Sequence, residues 1–517
     1  MRRSFLALLL ILSLVCGGCH TPEAGGETEE NQDAVGLPQQ QPEEETETTV
    51  PGQKTAIALA YNPSDSLNPF QVTTEYNYYL LPLIYEGLFA IGPDFQLENV
   101  LCESYEVDGD QWTFYIKQGV LFHDGTEMQA RDVVYSINQA RESTLFASRC
   151  ANITSCTYSG RYTVRIRLAT PDSQLPRLLT IPVVPRNDGD EENPLGAGRF
   201  MVQSQDGTVT LLRNDSWHGG AVGVESIRLS ALYQDSELSY VIGAGVIDGG
   251  CFEKPFATET AIRGNFDVTT FSTSDFHCLG INKNNGPLSD PLVRQAISAA
   301  LDRDLLVQKA FSGYGDGVSL PVSPELEQFE AEKKDPDALL KQAGYADTDG
   351  DGIYNDPEGN NLTLELLVPE GSEMKIQAAE IVSQSLVGSG IQVTVHTLPQ
   401  EDFQQALNRD DFDLYYGETI LNDQFDISQM VQRGGSLCYG GASETLTQAI
   451  TAWKSALPGE EEQAQQALYD AFQEEMPFVP MAFGRGCVVT GQGVMHQVVG
   501  DNRNPYYNLH QWAGGEL

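Results

Sequence analysis

The sequence predicts two α/β lobes of different texture, set behind a short exported leader and an acidic tether. Three features of the chain give this reading. Residues 54–517 are long enough for two or three domains. The first part of that body mixes alternating strand patterns and a hairpin signal with helices, and after about residue 280 helices alternate with single strands. The second pattern predicts βαβ-like units on a mainly parallel sheet.

The leader comes first in chain order. Arg2 and Arg3 precede an apolar run from Leu6 to Val15, which is too short to span a bilayer and fits the core of a signal peptide. Gly17 and Gly18 then lead into Cys19. The stretch LVCGGCH resembles a bacterial lipobox, with Cys16 where Leu is usual, and the resemblance implies that Cys19 is lipidated and becomes the mature N-terminus. A plain signal peptide with an incidental thiol is the competing reading. One acyl chain anchors only marginally, so a lipoprotein of this kind carries at least two.

Residues 19–53 form the tether. From residue 20 onward they hold nine acids, no Lys or Arg, and almost no large apolar side chains. Such a segment cannot bury enough surface to offset ordering entropy and is expected to stay disordered. Its root-mean-square reach is about 30 Å.

The body continues with KTAIALAY, which alternates like a strand. Thr73 or Thr74 is placed to cap a helix through Tyr85, with Leu80, Leu83 and Ile84 on one face. In SYEVDGDQWTFYIK, Asp108-Gly109 separates two alternating runs and predicts a hairpin. Further strands are expected at YTVRIRLA and TVTLLR. SDPLVRQAISAALDR predicts a helix capped by Ser289 or Asp290, with Leu292, Ala296, Ile297, Ala300 and Leu301 on one face; Asp302 restarts a second helix. Strands follow at NLTLELLV, IQVTVHTL and FDLYY, with a helix at EMKIQAAEIVSQSLVG and more helix from 444 to 475.

With 73 acids against 30 bases and a net charge of −43, the chain repels phosphate backbones, which excludes nucleic acid as a partner. Beyond Cys16 and Cys19 there are seven cysteines, an odd number. Cys150 and Cys156 are spaced to close a small disulfide, or remain thiols. Among these seven no CxxC pair offers a zinc site. DTDGDGIYNDPE matches a calcium loop, with Asp347, Asp349, Asp351 and Glu358 as oxygen ligands and Gly352 at the turn. Tyr354 and Pro357 fit such a loop poorly, so a solvated turn is the competing reading, and no other cofactor is expected. The hydrolase, metalloprotease, P-loop and dinucleotide motifs are absent from the sequence, and no enzyme activity is expected.

Residues 83–137, from LIYEGLFAIGPDFQ to RDVVYSI, together with DSLNPF, NPLGAGRF, LGINKNNGPLSDPLVRQAISAALDRDLL and FDLYYGE, resemble the extracellular solute-binding proteins, family 5, of ABC importers. The likeness extends over nearly the whole body. It implies a periplasmic-binding-protein-like (type II) clamshell: an enlarged first lobe (54–275), a second lobe (276–485), and a tail (486–517) that returns to the first. Two hinge strands would cross near 271–282 and 478–490, with Cys278 and Cys487 as free thiols beside them. His123-Asp124 falls on a turn of the family pattern rather than a catalytic dyad. The similar DTDGDG stretch of the family is a plain loop.

A peptide receptor must grip the backbone and the α-ammonium, and one buried carboxylate serves the second. The family places this acid in a Gly-Trp-x-x-Asp pattern. Here Gly417 matches, Glu418 replaces the Trp, and Asp423 and Asp426 restore the acid spacing two residues late. Asp423 is the expected ammonium partner and Asp426 the second candidate, unless both are surface or capping acids. Thr73 and Thr74 match the stretch that meets ligand from the first lobe, or simply cap their helix. The resemblance implies a monomeric, lipid-anchored receptor on the extracytoplasmic face of the cell membrane, delivering peptides to permease and ATPase subunits. A tethered peptide sensor without transport, or a nickel-type metal-chelate receptor using His277, are the alternatives.

Overall fold

The computed structural model describes residues 55–511, apart from 187, 189–190, 256–261, 263, 285, 327–328, 330, 432–437, 440, 458, 496–497 and 502. Cys19 and the tether lie outside the described residues.

Two long strands, Phe266–Asn282 and Phe478–Gly491, pair antiparallel along most of their length. They form the middle of a twelve-stranded sheet. On one side Leu414–Ile420 runs antiparallel to the first long strand, and Thr363–Pro369 and Gln392–Leu398 add on in parallel. In the second part of the body the expected parallel arrangement is thus limited to these three strands and a short parallel pairing of Cys438–Tyr439 with the first long strand. On the other side Gly249–Phe252, Ala56–Tyr61 and Ser226–Ala231 continue the sheet, ending in the hairpin Phe200–Gln205/Thr208–Arg213. A separate four-stranded antiparallel sheet holds Cys102–Asp108, Gln111–Ile116, Thr163–Leu168 and Ile153–Tyr158. Its hairpin turns at Gly109, whose φ of 61° is open to glycine at no steric cost.

Several of the helices start where side-chain chemistry starts them. Asp290 accepts from the backbone N–H of Leu292 to open Pro291–Ala300, and Asp302 accepts from Leu305 N to open Arg303–Lys309. Of the expected face of the first, Ala296, Ile297 and Leu301 are buried and Leu292 and Ala300 half-buried, while Val293 joins the buried side. Glu75–Ile84 begins after Thr74 as expected, but no side chain caps it. The helical stretch 444–475 is two helices, Glu444–Lys454 and Glu461–Glu475, with Gly459 at a φ of 89° between them.

The apolar residues gather into two large cores and a smaller one. The first large core is built from residues 57–229 and includes Val488, Met495, Val498, Tyr506 and Leu509, so the C-terminal segment packs there. The second is built mainly from residues 276–483. The long strand passes from one to the other between Phe271 and Phe276, where its pairing register breaks. Such a break re-aims the side chains, and the two faces serve different cores.

Cys150 and Cys156 are not joined; both are thiols, as are Cys278 and Cys487 on the long strands. Cys278 pairs opposite Pro480 and Cys487 opposite Thr270, so the two are not neighbours.

Close approach decides one position on the second long strand. A Cβ on Gly486 would lie 2.5 Å from the Phe271 ring and 3.1 Å from the Phe252 carbonyl oxygen. Gly486→Ala is expected to destabilise by about 1–3 kcal/mol through overpacking. Urea unfolding checks this, and an unchanged midpoint would show that the Phe271 ring yields without loss.

Candidate functional site

At the register break the first long strand delivers Asp275 and His277 to a buried cluster. The neighbouring strand supplies Tyr416 and Glu418, with Glu418 directly opposite His277. His277 Nδ1 faces the Tyr416 hydroxyl at 2.9 Å, and its Nε2 faces Asp275 Oδ2 at 3.3 Å. Lys254, just past Gly249–Phe252, bridges Asp275 at 3.1 Å and Glu418. Lys375, from the helix Glu373–Gly388, reaches Glu418 at 2.5 Å. Burial would raise the Glu418 carboxyl, but hydrogen bonds from both lysines outweigh it and hold it at about 2. The missing Trp of the peptide pattern is thus replaced by an acid that two cations clamp. Asp275, His277 and Glu418 are close enough together to share a cation, and Lys254 already supplies one there.

A cavity of about 670 Å³ lies along the first core. Tyr78 and Tyr85 from the first helix region, Phe146 and Arg149, Trp217 and His218, and the C-terminal Arg503 and Tyr507 face it. Asp423 is the lining residue that comes from the segment packed into the second core; the others belong to residues 78–219 and 499–510. It accepts from Arg503 Nη1 at 3.0 Å, and its backbone carbonyl accepts from Arg177 Nη1 at 3.3 Å. Burial raises the Asp423 carboxyl, but the charges of Arg503, Arg149 and Arg177 and the hydrogen bond from Arg503 reverse that and lower it. Arg503 is fixed in turn by Asp501 at 2.6 Å and lies over the Phe95 ring, 4.5 Å from its centroid. Beside this contact Phe95 packs on Phe425 at 5.1 Å, and Gln424 Nε2 donates to the Gln174 carbonyl at 3.1 Å.

The other expected positions lie elsewhere. Asp426 pairs with Lys454 at 2.7 Å and caps the turn at Ser428, which matches its capping alternative. Gly417 sits mid-strand opposite Cys278. Thr73 and Thr74 both turn their hydroxyls and backbone N–H groups onto Asp65, so neither side chain caps the helix. Asp347, Asp349 and Asp351 converge on an exposed loop and accept backbone N–H groups of their own turn; Glu358 is not in that group. Lys254, Lys375, Arg149 and Arg503 carry no motif and were not singled out from the sequence. For Arg503 the one signal was the expectation that the tail returns to the first lobe.

The model of the bacterial extracellular solute-binding proteins, family 5, matches residues 96–435. The chain belongs to that family. The oligopeptide-binding protein AppA of Bacillus subtilis (strain 168) is 26% identical over 393 residues, covering 68% of this chain and 72% of that protein. The glutathione-binding protein GsiB of Escherichia coli (strain K12) is 22% identical over 456 residues, covering 80% and 86%. The solved nickel ABC transporter protein from Bacillus halodurans superposes with a TM-score of 0.75 at 21% identity, covering 89% of this chain and all of that one. This last likeness fixes the fold, that of type II periplasmic binding proteins. The family's role is solute binding, and the geometry above is that of a binding protein: a half-open cavity lined by polar and aromatic side chains, with charged groups at its wall.

The Glu418 clamp predicts a pH dependence. Its folded value lies below the ordinary 4.5, so its contribution is whole above pH 4.5 and is lost as pH falls through about 2. Glu418→Gln is expected to flatten the fall of melting temperature across that window. An unaltered profile would assign acid sensitivity to other carboxylates.

Proposed function

We propose that this protein is the lipid-anchored substrate-binding component of an ABC importer, and that it captures short peptides in the 670 Å³ cavity. Cys19 is the proposed lipidated residue, and the acidic tether gives the body reach from the extracytoplasmic face of the membrane. The protein works as a monomer that hands its ligand to permease and ATPase subunits. The observation that carries the reading is Asp423, an acid from a segment packed into the second core, set in the wall of a cavity that is otherwise lined by residues 78–219 and the C-terminal segment 499–510. A ligand in that cavity touches both halves and so favours their association. Two curated relatives are named for peptide ligands, an oligopeptide and glutathione, which supports the substrate class.

In this reading Asp423 shares its carboxylate between Arg503 and the ligand's ammonium. The metal-chelate alternative gains nothing from His277, which is turned onto Asp275 and Tyr416 rather than into the cavity.

Gently purified protein is expected to release short peptides on denaturation, detected by mass spectrometry. Recovery of only a metal chelate or a sugar would overturn the substrate class. Asp423→Asn is expected to weaken free-amine peptides more than their N-acetylated forms in calorimetric titrations. Equal losses would leave Asp423 with the Arg503 contact as its whole role.

A further inference from the structure

A second cavity, of about 600 Å³, lies against the second core and shares no lining residue with the first. The helix Pro291–Ala300, the start of Arg303–Lys309 and residues 317–324 bound it. The Val318 N–H donates to the Met481 carbonyl at 3.0 Å, so this wall leans on the second long strand. In a chain of net charge −43, its described lining holds three cations, Arg303, Lys333 and Lys334, against one acid, Glu332. Lys334 is already served: it lies 3.4 Å from Glu474 and 3.9 Å from Glu332, and donates to Gln295 at 3.0 Å. Even with Glu474 counted, the cations exceed the acids by one. Lys333 is exposed and makes no ion pair among the described residues.

Arg303 is the group that sets the chemistry. It donates to the Val318 carbonyl at 2.7 Å, the Ser298 carbonyl at 2.8 Å, the Pro480 carbonyl at 2.8 Å and the Ser298 hydroxyl at 3.0 Å. Every one of these partners is neutral, and among the described residues no carboxylate pairs with it. The bonds fix the fork and leave one Nη1 hydrogen of its five N–H groups unused. Burial alone acts on the guanidinium and lowers it to about 10, so it stays charged at neutral pH. A cation set among neutral groups is relieved by an anion. Donors for one stand nearby. Ser323 is fully buried and its hydroxyl accepts from the Glu325 N–H at 3.3 Å, but its own proton has no acceptor among the described residues. The half-buried Ser319 hydroxyl has no partner there either. Leu320, Val322, Phe329 and Met476 give the rest of the lining an apolar face.

We propose that this cavity is a second ligand site, separate from the peptide cavity, and that it takes a small organic monocarboxylate with an apolar body. Arg303 and Lys333 receive the carboxylate, the Ser319 and Ser323 hydroxyls donate to it, and Phe329 with its aliphatic neighbours covers the body. The excess of one cation matches one negative charge, which favours a monocarboxylate over a doubly charged phosphate. The apolar face favours a hydrocarbon or aromatic body over a bare ion. Arg303 also holds the Pro480 carbonyl of the second long strand, so a bound anion sits one side chain away from the ladder that joins the cores. The inference stands on this cavity alone and does not depend on the peptide reading.

The test uses the full-length protein and five probes: benzoate, hexanoate, their neutral amides, and inorganic phosphate. Ligand-observed NMR titrations measure binding. The wild type is expected to bind the two acids about 10–100-fold more tightly than the amides, the loss that follows from removing a charge-assisted contact. Lys333→Gln is expected to weaken the acids about 2–5-fold, as for an exposed charge. Ser319→Phe fills the cavity and is expected to abolish acid binding, with melting curves confirming that it folds. Asp423→Asn, in the other cavity, is expected to leave acid binding unchanged. Failure of both acids to bind overturns the site, as does equal binding of acids and amides. Acid binding that survives Ser319→Phe, or that is lost in Asp423→Asn, places the acids elsewhere and overturns it too. Phosphate binding tighter than either acid overturns the ligand class. The wild-type comparison and Lys333→Gln decide the matter even if Ser319→Phe does not fold.

Discussion

The antiparallel pairing of Phe266–Asn282 with Phe478–Gly491 carries a continuous backbone ladder from one hydrophobic core to the other. Each strand contributes to both cores, so neither half can be built without the pair. Halfway along, the register breaks between Ser272 and Phe276, and the side chains that follow are re-aimed toward the second core. The ladder must bend where its pairing is weakest, and the charged cluster of Asp275, Glu418, Lys254 and Lys375 sits there. Buried charges demand partners, so this cluster fixes the local geometry that the broken ladder leaves loose.

A second set of contacts joins the halves away from the strands. Phe95 and Phe425 meet ring to ring, and each holds a left-handed backbone, at φ values of 58° and 53°. A bulky residue is held there only when its surroundings over-determine it. Arg503 closes the contact by covering Phe95 and pairing with Asp423. The cavity wall and the seam between the halves therefore share the same side chains. A ligand that competes for Asp423 acts on the seam as well as on the cavity.

Much of the scaffold was legible in the sequence because its signals are local. Alternation placed Ala56–Tyr61, Thr163–Leu168 and Thr208–Arg213, Asp108-Gly109 gave the hairpin, and Asp290 and Asp302 marked helix starts through bonds within three residues. The family resemblance placed the crossing strands to within a few residues. The site was less legible, because its chemistry joins residues far apart in the chain: Asp423 with Arg503, and Lys254 with Glu418. Asp65 gathering Thr73 and Thr74 escaped notice for a different reason. A threonine before a helix reads as a cap, and the acid that takes its hydroxyl is eight or nine residues back. Positive φ at two phenylalanines leaves no trace in residue type at all.

Cys278 and Cys487 are sealed within the crossing strands, and burial alone raises both thiols, the second up to about 12. The thiolate is the form that attacks disulfides and oxidants, and neither sulphur is ionised or reachable at neutral pH. They behave there as small apolar side chains. An odd count of cysteines is then harmless at these strands, since neither buried sulphur is available to be scrambled into a disulfide.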